Sequence, residues 1–280
     1  MTRWAYVNGD YLPIEQARVS VLDRGFLFAD GIYEVTAVVN GRLVDMLSHL
    51  ARLDRSVGEI GMTLAATGDA LVAIHEELIH RNALDEGVIY LQATRGAADR
   101  DFVPLADTPP TLVLFTQTKT LTGPSAGIAV KSLPDIRWAR RDIKSVALLA
   151  QVLAKREAAA AGCQEAWMIE DGFVTEGASS TAWILTREGI LVTRAHSHAT
   201  LPGCTALALN ALLAEMGLTI ERRPFTLDEA FAASEAFVSA ASSFVQPVNS
   251  IDGRPIGEGR PGPIATRLRE LYVRFAREAR

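Results

Sequence analysis

Ile32-Tyr33-Glu34-Val35-Thr36-Ala37-Val38-Val39-Asn40-Gly41-Arg42-Leu43-Val44-Asp45-Met46 carries the strongest structural signal in the chain. β-Branched and aromatic residues lead into Asn40-Gly41, a dipeptide suited to a type I′ turn, and Leu43 to Met46 reads as the return strand of a hairpin. Upstream, Trp4, Tyr6 and Val7 run into Asn8-Gly9 and Tyr11-Leu12 begins another return, so the chain opens with sheet. Downstream, Ser48 is a candidate N-cap for a helix on which Leu50, Leu53, Val57 and Ile60 recur at helical spacing before Gly61. Leu71, Ile74 and Leu78 mark a second helix. Val88 to Thr94 and Thr111 to Thr116 are further strands, separated by a charged, proline-bearing surface loop from Gly96 to Pro110. Helices on one face of a sheet make a small α/β domain, expected over residues 1–120.

The stretch Thr120 to Gly127 (TLTGPSAG) has the composition of a connection, and residues 121–127 are expected to link two domains. Beyond it, residues 128–280 read as a larger, β-rich domain with helices. Ile128 to Leu133 opens it, and an Ala/Leu-rich helix is expected from about Ser145 to Ala161, closed by Gly162. Ala166 to Ile169 and Phe173 to Thr175 flank Asp171-Gly172, while Ala182 to Leu185 and Ile190 to Thr193 flank Glu188-Gly189, two further hairpin signals. A helix from about Thr205 to Met216, a capping box at Thr226-x-x-Glu229, a strand at Ala236 to Ala240 and a terminal helix with Ile264, Leu268, Leu271 and Phe275 on one face complete the reading. The fold class is α+β (α/β) in two domains.

With 280 residues, 49% of them apolar and 22% charged, the chain is globular in composition, neither disordered nor a disulfide scaffold. Its formal charge of −5 argues against a sequence-independent grip on nucleic acid. No stretch reaches the ~18 apolar residues of a membrane span, and the opening lacks the marks of a secretory signal, so a cytoplasmic location is expected. Cys163 and Cys204 lack the paired spacing of a zinc site, and His196-x-His198 has no acidic or cysteine cluster around it; no metal is expected.

Four features suggest chemistry. In Asp142-Ile143-Lys144-Ser145 a lysine sits between apolar neighbours, and a desolvated, neutral amine is the nucleophile that forms a Schiff base. Glu176 ends a strand beside the small polar residues Ser179, Ser180 and Thr181; a carboxylate there needs a cationic partner, and a pyridinium nitrogen is one. Leu201-Pro202-Gly203-Cys204-Thr205 puts backbone amides at a helix N-terminus, where a dianionic phosphate is favoured. Arg52 offers a guanidinium fork that suits phosphate. Each has a bland counterpart: a solvated lysine, an exposed strand-end Glu, an ordinary helix start and a surface arginine. Together they are the parts of a pyridoxal phosphate site.

Asp23-Arg24-Gly25-Phe26-Leu27-Phe28-Ala29-Asp30-Gly31-Ile32-Tyr33-Glu34-Val35, His49-x-x-Arg52-Leu53, Asp142-Ile143-Lys144, Thr175-Glu176-Gly177 and Leu201-Pro202-Gly203 resemble, in the same order over nearly the whole chain, the fold-type IV pyridoxal 5′-phosphate enzymes. Within them the chain is most similar to the D-amino-acid transaminases. The resemblance implies that Lys144 holds the cofactor as a Schiff base and shuttles the substrate proton. It implies that Glu176 pairs with the pyridine nitrogen, that Leu201 packs on the ring, and that Arg52 and the head of the helix at Cys204 and Thr205 hold the phosphate. Arg137 would lie toward the ring hydroxyl, with Ser180 and Ser242 also at the cofactor. It implies a homodimer, with the small-domain loop reaching the neighbour's site.

In D-specific relatives the trap for the substrate α-carboxylate looks like a tyrosine plus an Arg-x-His in the long loop. Tyr33 and Arg100 match, while Phe102 stands where the histidine would be. Losing one charge-assisted hydrogen bond weakens carboxylate binding by ~1.5–3 kcal/mol if nothing replaces it, so relaxed specificity is a hypothesis that strict D-alanine preference would refute. The implied reaction moves the amine of a D-amino acid such as D-alanine to a 2-oxo acid, 2-oxoglutarate or pyruvate, by a ping-pong route. The rivals on the same scaffold are (R)-amine or branched-chain L-amino-acid transamination and 4-amino-4-deoxychorismate lysis. A non-catalytic ligand-binding protein is the alternative from another class.

Overall fold

The computed structural model describes residues 2–278. The chain divides into two compact units, one holding the residues up to Leu121 together with Ile143–Ala147, the other Thr122–Asp142 and Leu148–Glu278. The fold is α+β. Among the described residues no helix is long and apolar enough to cross a membrane.

In the first unit, strands β1 (Trp4–Val7) and β2 (Asp10–Pro13), helix α1 (Arg24–Phe28), strands β3 (Gly31–Val39) and β4 (Arg42–Leu43), helices α2 (Met46–Glu59) and α3 (Gly68–Asn82), and strands β5 (Gly87–Thr94) and β6 (Thr111–Thr118) follow in turn. The strands pair antiparallel in the order β2-β1-β6-β5-β3-β4. Both Asn-Gly turns form: Asn8, Gly9, Asn40 and Gly41 all have positive φ, the conformation a type I′ turn requires and these residues adopt with least strain. The return strand after Gly41 is shorter than its sequence suggests. It ends at Leu43 because Asp45 turns to φ 55° and Met46 opens α2 ahead of Ser48. Leu53 and Val57 on α2, Leu71 and Leu78 on α3, and Ile89, Leu91 and Leu114 from the sheet close one core. Each such buried side chain stabilises the unit by ~1.5–3 kcal/mol relative to exposure.

The segment Ile143–Ala147 packs in this first unit and is not helical. Ile143 joins the core, the Tyr33 amide donates to the Lys144 carbonyl (3.0 Å), and the Val146 amide donates to the Gly31 carbonyl (3.0 Å). These backbone bonds hold Lys144 beside the start of β3. They also explain why the helix expected from Ser145 begins only at Leu149.

The second unit runs β7 (Ile128–Pro134), α4 (Leu149–Ala160), β8 (Glu165–Glu170), β9 (Phe173–Gly177), β10 (Thr181–Leu185), β11 (Ile190–Thr193), α5 (Cys204–Glu215), β12 (Thr219–Arg222), α6 (Leu227–Ala232), β13 (Glu235–Ala240), β14 (Phe244–Ile251), β15 (Arg254–Pro255) and α7 (Pro263–Glu278). Its sheet has the order β12-β11-β10-β13-β14-β7-β8-β9, with β15 on β14. The pairs β7 with β8 and β11 with β12 are parallel, so α4 and α5 serve as their crossovers. Trp167, Ile184, Phe225, Val248 and Ile251 fill the core. Thr226 and Glu229 form the expected capping box at α6.

Candidate active site

In the first unit the half-buried Lys144 is fixed at its backbone, where its amide donates to the Ser56 hydroxyl (3.3 Å) and its carbonyl takes the Tyr33 amide. Its Nζ lies 4.2 Å from the centre of the Tyr33 ring. An ammonium at that point meets the electron-rich face of the ring. Tyr33 stacks in turn on Tyr90 (5.7 Å between centroids), and Tyr90 on Phe115 (5.0 Å). Burial pushes the Tyr90 phenol up to about 12, with Tyr33 adding to it, so this support stays uncharged in ordinary buffers.

Because strand residues alternate, Glu34 faces away from Tyr33 and into the interior. There it meets α2. Arg52 donates from Nε to Glu34 Oε1 (2.8 Å) and from Nη2 to Oε2 (2.7 Å), a bidentate pair, and His49 Nδ1 lies 2.7 Å from Oε2. Burial alone would raise the Glu34 carboxyl; the Arg52 charge and hydrogen bonds, helped by His49, outweigh it and hold Glu34 well below the usual carboxylate range. Two edge groups of the Arg52 guanidinium are therefore committed to Glu34. The sequence offers His49, Arg52 and Glu34 in its motifs, but nothing in their spacing announces this triad.

The long loop after β5 carries Arg100, whose guanidinium lies over the rings of Phe28 (5.2 Å) and Phe102 (5.6 Å). Arg24, buried behind it, donates to the carbonyls of Asp101 (2.6 Å) and Phe102 (3.1 Å) and pairs with Asp30 (2.8 Å). Phe102 itself is 77% exposed, and the apolar side chains Val21, Phe26, Val103 and Leu105 are exposed to similar degrees.

In the second unit Glu176, next to last in β9, is buried. Arg137 donates to its Oε1 (2.5 Å), and the Leu201 amide donates to Oε2 (3.1 Å). Burial pushes the Glu176 carboxyl up despite the opposing pull of Arg137. Arg137 is gripped from the other side by Asp135, at 2.9 Å from Nε and 2.7 Å from Nη2, and Thr175 donates to the same carboxylate (2.7 Å). Asp135 is a residue that sequence reasoning missed, although an Asp-x-Arg spacing in a turn lets two such side chains meet.

Register brings the remaining residues to one end of this sheet. Thr181 opens β10 opposite Ser239 on β13, and the turn holding half-buried Ser242 joins β13 to β14. At Gly203, the N-cap of α5, a Cβ would lie 2.7 Å from the Thr181 hydroxyl, so the helix head approaches the strand more closely than a side chain allows. Thr205, one residue into α5 from Cys204, buries a hydroxyl oxygen that finds no hydrogen-bond partner among the described residues. An unsatisfied polar atom at a helix head, amid unpaired amides, suits a bound anion. Ser180 instead donates to Glu165 (2.9 Å), as does Ser179. Its proton is thereby committed, while its oxygen remains an acceptor.

Lys144, Tyr33, Arg52 and Arg100 thus belong to the first unit, and Arg137, Glu176, Ser180, Leu201, Cys204, Thr205 and Ser242 to the second. The family model described as amino-transferase class IV matches residues 31–251. The D-alanine aminotransferase of Staphylococcus aureus (strain MSSA476) is 35% identical over 273 residues, 96% of both chains, and that of Bacillus licheniformis is 37% identical over 259 residues, 92% of this chain and 91% of the other. Among solved structures, a T.th. branched-chain amino acid aminotransferase complexed with N-(5′-phosphopyridoxyl)-L-glutamate superposes with a TM-score of 0.90 at 26% identity, covering 100% of this chain and 96% of that one.

Proposed function

Because the chain belongs to the class IV aminotransferases, we propose that it moves the amino group of a D-amino acid, D-alanine first among them, to a 2-oxo acid through pyridoxal 5′-phosphate carried on Lys144. The donor assignment is carried by one observation: the similarity to D-alanine aminotransferases, at 35–37% identity, runs through more than nine-tenths of the chain. The branched-chain likeness of the fold comes at 26% identity and does not favour an L-donor.

The residues present fit the cofactor. The buried Thr205 hydroxyl lacks a partner that a phosphate oxygen would supply, at a helix head whose amides favour a dianion. Cys204 and Thr205 amides, the Thr205 hydroxyl, Arg52 and Ser242 are assigned to that phosphate, Glu176 and Leu201 to the ring, and Arg137 to its hydroxyl side. The assignment of Ser180 to the cofactor requires it to accept a hydrogen bond or to leave Glu165. When bound, pyridoxal phosphate supplies an aldehyde for the amine and a ring that takes up electrons from the substrate Cα.

Lys144 Nζ would take the proton from the substrate Cα and deliver it to C4′ of the cofactor, and the Tyr33 ring 4.2 Å away would stabilise the nitrogen while it carries that proton. Glu176, buried and hydrogen-bonded by the Leu201 amide, presents a carboxylate for the ring nitrogen. Tyr33 and Arg100 receive the α-carboxylate; Phe102 gives it no hydrogen bond, which supports tolerance of donors without a carboxylate. The exposed Val21, Phe26, Phe102, Val103 and Leu105 support a homodimer in which Arg100 serves the neighbour's site.

The test is a donor panel with 2-oxoglutarate or pyruvate as acceptor: D-alanine, L-leucine and an (R)-amine, with 4-amino-4-deoxychorismate assayed separately for release of pyruvate. The proposal expects D-alanine to give the highest kcat/KM. A preference for L-leucine, or pyruvate release from aminodeoxychorismate as the main activity, overturns it.

A further inference from the structure

From Glu176 runs a line of ion pairs, buried except at its far end, whose charges do not cancel. Glu176 pairs with Arg137 (2.5 Å), Arg137 with Asp135 (2.7 Å), Asp135 with Arg141 (3.5 Å) and Arg141 with Glu170 (2.5 Å). The order is minus, plus, minus, plus, minus, and the line is one positive charge short. At one end Glu170 has a side chain 36% exposed, where water screens its charge; at the other Glu176 is 7% exposed, and Asp135 in the middle is fully buried. Arg194 exerts only a weaker, longer-range pull on Glu170, and Arg140 pairs with Asp142 (3.0 Å). Thr175 donates to Asp135 and the Leu201 amide to Glu176, both neutral groups.

Without Asp135, Arg137 and Glu176 would form a self-sufficient neutral pair, and a protonated ring nitrogen brought to Glu176 would meet little net negative charge. We infer that Asp135 is a positioning residue that holds Arg137 and supplies the surplus negative charge by which the Glu176 carboxylate keeps the pyridine nitrogen of the cofactor protonated. This rests on the reading that Glu176 faces that nitrogen. Asp135 contacts Arg137, Thr175 and Arg141, and it acts through Arg137.

The readout is the protonation of the ring nitrogen itself, followed by 15N NMR on protein reconstituted with pyridoxal phosphate labelled at that atom. In the unsubstituted protein the nitrogen is expected to be protonated at neutral pH. Asp135→Asn is expected to lower the pH at which that proton is lost by about one unit or more. Thr175→Val disturbs the same spot but keeps the charge, and is expected to leave the midpoint where it was. An unchanged midpoint in Asp135→Asn, with Glu176→Gln deprotonated, overturns the inference and leaves the reading of Glu176 intact. A nitrogen equally protonated in Glu176→Gln overturns that reading as well. A fall of equal size in Thr175→Val also overturns the inference, because disturbance rather than charge would then be the cause. Should Asp135→Asn fail to fold, Glu170→Gln at the exposed end carries the test: it releases Arg141 toward Asp135, so a smaller fall supports the inference and no change overturns it.

Discussion

Glu34→Gln is the perturbation that tests how the first unit is held together. The Glu34 carboxylate accepts from Arg52 Nε, Arg52 Nη2 and His49 within 2.7–2.8 Å, and both Glu34 and Arg52 are nearly inaccessible. Gln offers one acceptor oxygen and turns an NH2 toward the guanidinium, removing the carboxylate charge that faces this buried cation. Breaking one side of a buried pair destabilises by ~3–5 kcal/mol. At about 2–4 °C per kcal/mol for a chain of this size, the melting temperature should fall by roughly 6–20 °C. The assay is differential scanning calorimetry of both proteins in the same cofactor-free state across a pH series. Glu34 is depressed in the folded protein, so its contribution is fully present above the ordinary Glu range near ~4.3 and is lost as pH falls through the lower folded value. The gap between the two proteins should therefore hold steady from pH 5 to 8 and narrow only in acid. A Glu34→Gln protein that melts within about 2 °C of the parent at pH 7 would show that this ion pair does not hold the unit together.

Thr205→Val removes a buried hydroxyl that has no partner among the described residues, so the cofactor-free protein should melt at the same temperature or slightly higher, while its affinity for pyridoxal phosphate drops about ten- to a hundredfold. Equilibrium titration of the cofactor absorbance and a thermal melt, run on the same preparation, check both halves. Phe102→His restores a donor beside Arg100; kcat/KM for D-alanine should rise, by at most about a hundredfold, with no matching gain for an (R)-amine that lacks a carboxylate. Equal gains on both donors would show that the side chain at this position does not act on the carboxylate.

Much of the architecture was legible wherever a local signal sufficed. The Asn8-Gly9, Asn40-Gly41 and Asp171-Gly172 turns formed because positive φ is a property of those residues, and the Thr226 capping box closes over three positions of the chain. Elements fixed by distant partners were harder. β14 (FVQPVNSI) has a proline and polar residues where a strand pattern should be, and it is a strand because β13 and β7 pair with it on either side. β12 is a four-residue edge strand with little apolar content, and α1 is held as a short turn by Asp23 accepting from the Gly25 amide. The residues of the site followed the same division. Lys144, Glu176 and the head of α5 stand in recognisable motifs, but what surrounds them depends on folding. Ser145 looks like a helix start and instead bridges to Ile32; Arg52 looks like a phosphate ligand and also neutralises Glu34; Asp135 carries no motif and becomes the hinge of a charge network only when folding brings the end of β7 near β9.

Every role assigned above depends on the Lys144 amine carrying the cofactor. Loading the protein with pyridoxal phosphate, reducing it with borohydride and mapping its peptides by mass spectrometry tests this directly. A phosphopyridoxyl group is expected on the peptide that contains Lys144, at about one per chain, and none in a Lys144→Ala protein treated in the same way. An unmodified Lys144 peptide, with the label absent or on another lysine, contradicts that attachment.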